Sequence, residues 1–207
     1  MRWIMSKLVW GAGFNDKTRP ANVGGKKVKE YGLWQSMLER CFSEEYQTRF
    51  PTYKGCSVSD NFLRYSFFYD WCHNQIGFGK VDDKGRSWCL DKDLLFVDNK
   101  TYSETACVFV PNEINSFFTD SGKARGEYPL GVYFDKQKGK FRAQCAVNGK
   151  LQHLGLFNTA SEAFAVYKPF KENLCKQLAL KWQHEIDERL FNAMMKWEVK
   201  HETPSNI

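Results

Sequence analysis

"GVYFDKQKGKFRAQCAVNGKLQHLGLF", residues 131–157, decides how the C-terminal half of the chain is read. Three strand-like runs stand out: Val132/Phe134, Phe141/Ala143/Cys145/Val147 and Leu151/His153. The turn segments "DKQKGK" and "NGK" separate them, and Asn-Gly is a strong hairpin signal. The spacing predicts a three-stranded antiparallel meander. Strand alternation puts Phe141, Ala143, Cys145 and Val147 on one face and Arg142, Gln144 and Ala146 on the other. Tyr133 joins the second face if the first strand pairs in register. Lys136, Lys138, Lys140, Arg142 and Lys150 face only Asp135 in this stretch, so it is locally basic. His153 is expected to be a half-buried strand residue rather than a contact.

Downstream, "NTASEAFAVY" opens a helix with Thr159 or Ser161 near its cap. Pro169 is expected to kink or split it. The apolar residues Leu174, Leu178, Trp182, Ile186, Leu190, Met194 and Trp197 recur about one turn apart, which predicts a helical tail to about His201. Upstream, "TDSGKARGEYP" has the composition of a linker.

The remaining N-terminal part reads as helices around a small mixed element. From about Val28 to Glu44, Tyr31, Trp34, Met37, Leu38, Cys41 and Phe42 form an amphipathic stripe. "SD" at 59–60 is a good N-cap for a second, aromatic-rich helix, "NFLRYSFFYDWCHNQ", closed by Gly77 and Gly79. "SWCL" is a short strand running into "DKD", "VDNKTYSE" is turn-rich, and "ACVFV" is a second strand. Pro111 then suits the first turn of a helix carrying "NEIN". The order is strand, loop, strand, short helix.

Totals set the bounds. The chain has 207 residues, 16% of them aromatic, and a formal charge of +6. That is too apolar for disorder and long enough for one domain or two small ones. Seven cysteines with no CxxC spacing argue against a zinc knuckle and for free thiols in a reducing compartment. Lys7 interrupts the apolar N-terminus, and no apolar run reaches the ~18 residues of a membrane span. A soluble, cytoplasmic protein is expected. Residues 1–30 are basic, as in an arm that lies along phosphates or a solvated tail.

Two resemblances follow from these residues. "GVYF", "GKFRAQCAVNGK" and "HLGLFNTASEAFAVY" resemble the plant ethylene-response-factor type of DNA-binding domain. That likeness implies a sheet lying in the major groove with the helix behind it. Arg142 and Gln144 have the chemistry to pair with guanine and adenine edges. Tyr133 shares their face, and Lys136, Lys138, Lys140 and Lys150 suit phosphates.

The order of a strand ending in a polar dyad, a "Y-x-x-x-x-C" strand and a helix ending in Asn resembles a degenerate HNH nuclease motif. The "W-x-x-M-L-x-R-C" helix, "PTYKGC" and "FF-x-x-W" are similar to segments of phage HNH and homing endonucleases. The likeness implies Mg²⁺ (or Mn²⁺) held by Asp91 and Asn115 for phosphodiester cleavage of duplex DNA. Lys92 stands where the family's general-base His would sit. At its ordinary pKa near ~10.4 it is a poor base, though it could neutralise a phosphate. Asp93 is a possible second ligand or weak base, and His73 is the only histidine nearby in sequence. An active nuclease, an inactive HNH-like scaffold, and plain turn chemistry by Asp91 and Asn99 all remain open at this point.

The expectation is therefore an α+β protein: an HNH-like module over 1–120, a linker over 121–130, a DNA-binding sheet plus helix over 131–180, and a helical tail over 181–207. Its expected partner is duplex DNA, with metal-dependent cleavage. The alternatives are a DNA-binding regulator without catalysis and an interaction module aimed at a host enzyme.

Overall fold

A computed structural model describes residues 8–119, 127–147 and 149–200. The expected linker lies mostly outside them, as do Asn148, His201 and the first seven residues. The fold is α+β, with a three-stranded antiparallel sheet in its C-terminal half. The chain divides into two units: Met1–Asn115 with His184–Leu190, and Ser116–Gln183 with Phe191–Ile207.

The first unit opens with a minimal hairpin, β1 (Asn22–Val23) and β2 (Lys26–Lys27), turning through Gly24 and Gly25. Helix α1 (Lys29–Phe42) follows the expected stripe and buries Trp34, Met37, Leu38 and Cys41. A short helix that sequence reading missed, α2 (Glu44–Arg49), is capped by Ser43, whose side chain accepts from the Tyr46 N–H. Next come β3 (Ser57–Val58), α3 (Asp60–Leu63) and α4 (Tyr65–His73).

Ser59 caps α3 as expected, but the single aromatic helix is broken at Arg64, whose backbone is extended. There the chain pairs with Phe14: Phe14 N–H donates to the Leu63 carbonyl at 2.8 Å and Tyr65 N–H to the Phe14 carbonyl at 3.0 Å. Those two bonds replace the helical ones that a continuous segment would make. The aromatics pack edge-on, Phe62 against Phe68 at 5.1 Å and against Trp71 at 4.8 Å. Such pairs add about 0.5–1.5 kcal/mol each beyond area burial.

The strand–loop–strand–helix order is present. β4 (Cys89–Asp91) pairs antiparallel with β6 (Val108–Val110), setting Asp91 opposite Val108, and α5 (Asn112–Phe118) follows Pro111. The intervening turn-rich segment is not all turn. Thr101–Tyr102 form β5, which pairs in parallel with β3. β6 is wholly buried, with Phe109 against Trp71 and Phe78 at 5.8 and 5.4 Å.

In the second unit, β7 (Val132–Asp135), β8 (Lys140–Val147) and β9 (Lys150–Phe157) form the meander in that order. Helix α6 (Ala160–Trp182) covers one face. It starts with a capping box: Thr159 Oγ1 accepts from Glu162 N–H, and Glu162 Oε2 accepts from Thr159 N–H. It runs through Pro169 without the expected split. Val132, Ala143 and Cys145 meet Ala163, Phe164 and Tyr167 in the core.

Gly131 is required there. It has φ +76°, and a Cβ would lie 2.1 Å from the Tyr167 ring. The predicted tail is two pieces: α6 ends at Trp182 and α7 (Glu188–Met195) begins after a turn. Asp187 caps that turn, its Oδ1 accepting from Arg189 N–H at 2.8 Å.

Candidate nucleic-acid interface

Register fixes the outer face of the meander. Tyr133 lies opposite Arg142, which lies opposite Leu156; Gln144 is opposite His153; Ala146 is opposite Leu151. The inner partners Val132, Ala143 and Cys145 are buried, so the face assignment made from alternation holds. A bulge between Ala143 and Gln144 shifts the register of β8 against β9.

His153 therefore departs from expectation and is exposed on this outer face. The bulge explains its posture. Gly155 N–H donates to His153 Nδ1 at 3.1 Å, and the same nitrogen lies 3.4 Å from the Ala143 carbonyl, so Nδ1 is engaged with the backbone and Nε2 is the ring nitrogen left for an outside partner. An exposed side chain at a bulge carries no hydropathy signal, so the sequence could not reveal it.

Arg142 also differs from a free groove-reading side chain. Its Nη2 donates to Asp135 Oδ2, and its Nε is buried without a hydrogen-bond acceptor among the described residues. Asp135 in turn holds the β7–β8 turn, Oδ1 accepting from Gln137 N–H at 3.1 Å and Lys138 N–H at 3.2 Å. These bonds keep the Asp135 carboxyl below its usual pKa against the opposing pull of desolvation. Lys136, Lys138, Lys140 and Lys150 are exposed and form no ion pair among the described residues. The ion pair thus braces a turn that presents lysines to solvent.

The second expected site is built differently from what the HNH likeness implies. Asp91 Oδ1 accepts from the N–H groups of Asp93 and Leu94, each at 2.9 Å. Burial, and then the Asp93 charge, push the Asp91 carboxyl up to about 6. Lys92, the residue that could neutralise a phosphate, is only 7% exposed. Its Nζ donates to Asp93 Oδ2 at 2.7 Å and lies 5.7 Å from the centre of the Tyr102 ring.

Desolvation pulls on the Lys92 ammonium, but Asp93 more than offsets it and holds the group above its ordinary pKa. Asn99 closes the loop, its Nδ2 donating to the Lys92 carbonyl at 2.6 Å and the Thr101 carbonyl at 2.8 Å. Asn115 lies in α5, its N–H bonded to the Pro111 carbonyl at 3.0 Å. His73 is engaged elsewhere: its Nε2 lies 2.7 Å from Glu30 Oε1, and its ring packs against Tyr69 and Phe78.

Whether Mg²⁺ or Mn²⁺ fits here is decided by these bonds. The carboxylate and amide oxygens are hard donors of the right kind. However, one Asp91 oxygen is already committed to two amides, and a protonated lysine neutralises Asp93 beside it. No group of three or more His, Cys, Asp or Glu able to hold a metal occurs among the described residues. In this arrangement the Asp91 and Asp93 carboxylates serve the loop amides and Lys92. The site has the chemistry of a braced turn.

No protein-family model, curated protein or solved structure matches this chain. No described helix is long and apolar enough to cross a membrane.

Proposed function

We propose that the protein binds duplex DNA through the outer face of the β7–β8–β9 sheet, and that its first unit is a folded scaffold rather than a nuclease. The observation that carries this reading is the combination of one sheet face bearing Tyr133, Gln144 and His153 with four exposed lysines, Lys136, Lys138, Lys140 and Lys150, in and beside its turns, which form no ion pair among the described residues. Amide and aromatic groups on a pleated ribbon can reach base edges, while turn lysines address phosphates without reading sequence. The ethylene-response-factor likeness of residues 131–167 supports the same assignment. Against cleavage stands the buried, protonated Lys92 at the position a general base would need.

Fluorescence anisotropy with a labelled duplex of about two helical turns tests this. Four phosphate contacts would give a log–log salt slope of about −3.6, so affinity should fall roughly a hundredfold between 50 and 200 mM salt. Affinity that does not change over that range removes the proposal, and a preference for double-stranded RNA over DNA of the same sequence redirects it.

A further inference from the structure

Arg142 and Gln144 are the two obvious base readers of the outer face, and the structure separates them. A bidentate guanine contact needs a free guanidinium fork. Arg142 has given part of its fork to Asp135, and its Nε is buried. The groups left to meet a base are the Gln144 amide, the His153 Nε2 and the methyls of Ala146 and Leu151.

Gln144 and His153 are cross-strand partners, as are Ala146 and Leu151. Leu151 is 65% exposed and Tyr133 47% exposed, an apolar content that water alone does not favour. In the major groove only thymine offers an apolar edge, its C5 methyl, and only adenine matches the donor–acceptor pair of a carboxamide. Same-face residues on one strand are about 6.7 Å apart, close to two base-pair rises of about 3.4 Å. Gln144 and Ala146 are therefore spaced to address base pairs two steps apart.

Resting on the DNA-binding reading above, we propose that this face selects A·T pairs. Gln144 reads an adenine edge, His153 bonds through Nε2 to a neighbouring base edge, and Ala146 with Leu151 receives a thymine methyl. Arg142 is a positioning residue that braces the lysine-bearing turn through Asp135 and reads no base.

The test uses the full chain and a duplex pool randomised over eight central pairs, with selected sequences then measured one by one. Enrichment of a short A·T-containing core is expected. Gln144→Ala and His153→Asn should each lower the ratio of core to G·C-substituted affinity, by roughly 5- to 150-fold for the glutamine. Affinity for unrelated duplex should be unchanged. His153→Asn places an amide oxygen where Nδ1 accepts from Gly155 N–H, so it removes the outward Nε2 while keeping that bond. Leu151→Ala, and replacement of thymine by uracil in the core, should each lower the same ratio. Arg142→Ala should weaken all duplexes alike and leave the ratio unchanged.

A G·C core, or a ratio lost in Arg142→Ala but kept in Gln144→Ala, overturns the inference while leaving salt-dependent DNA binding intact. Salt-dependent binding with no enriched core overturns it in the same way. Absence of binding to any duplex overturns both.

Discussion

Arg142 on β8 reaches diagonally, past its direct partner Tyr133, to Asp135 on β7, and their ion pair ties the sheet surface to the turn that carries Lys136 and Lys138. Asp135→Asn keeps an oxygen for the two turn amides but releases the guanidinium. The expected result is a log–log salt slope steeper by about one unit, because one more cation becomes available to phosphate. Asp135→Ala removes the turn acceptor as well and should lower thermal stability, read as a drop in Tm. An unchanged salt slope in Asp135→Asn would show that Arg142 stays sequestered without its carboxylate.

Asp91 should make stability depend on pH. Its folded pKa is raised to about 6 by burial and by Asp93, above the ordinary 3.8. The folded state therefore holds the proton more tightly than the unfolded chain. The stabilisation this provides is complete below the unfolded value and is lost as pH rises through about 6. Asp91→Asn keeps an acceptor for the Asp93 and Leu94 amides and carries no charge to desolvate. It should stabilise the first unit at pH 8 by on the order of 2 kcal/mol and change little at pH 4. Denaturant titrations at the two pH values measure the difference.

What was legible in sequence was whatever one short window encodes. The α1 stripe, the Ser59 cap, the meander and its facing residues and the Thr159–Glu162 capping box all declare themselves within a few residues. What was hidden depends on distant partners. The break at Arg64 is made by Phe14, and the two-residue β3–β5 pairing joins Ser57 to Thr101. Neither leaves a local periodicity. Nothing in the local sequence signals that Lys92 is buried. Its inward turn depends on Asp93, Asn99 and Tyr102 lying around it.

Gly131 has no room for a side chain. A Cβ at its φ of +76° would enter the Tyr167 ring at 2.1 Å, so Gly131→Ala combines a strained backbone with overpacking. A loss of about 3 kcal/mol is expected, enough to unfold a small sheet-plus-helix unit. DNA binding should vanish while the far-ultraviolet signature of the helices in the first unit persists. Retained binding at full affinity would mean that the helix can retreat from the sheet at little cost.

Lys171 on α6 is largely desolvated, donating to the Phe117 carbonyl at 3.3 Å with its ammonium 3.4 Å from the centre of that ring. Burial lowers its pKa, with Cys145 and Cys175 giving only partial compensation. A lysine whose folded pKa is depressed destabilises the fold while charged, and that cost is relieved as pH rises towards the ordinary lysine range. Lys171→Met fills the same space without a charge. It should stabilise the second unit by about 1 kcal/mol at pH 7, with a smaller gain at pH 10. The comparison of Tm at the two pH values is decisive, because a purely steric gain would be equal at both.

The last prediction concerns the HNH-like segment itself. Cleavage needs a proton acceptor beside a metal-bound phosphate, and Lys92 is protonated, buried and paired with Asp93 at 2.7 Å. Supercoiled plasmid incubated with the protein and Mg²⁺ or Mn²⁺ should stay supercoiled, and Asp91→Ala should behave the same. The apparent Tm should not move between EDTA and millimolar Mg²⁺, since a ligand that binds only the folded state would raise it. Lys92→Met should keep the fold within about 1 kcal/mol, because the partner it leaves, Asp93, is half exposed and can rehydrate. Nicking by the wild-type protein that disappears in Asp91→Ala would restore the nuclease reading and require a base supplied from outside this loop.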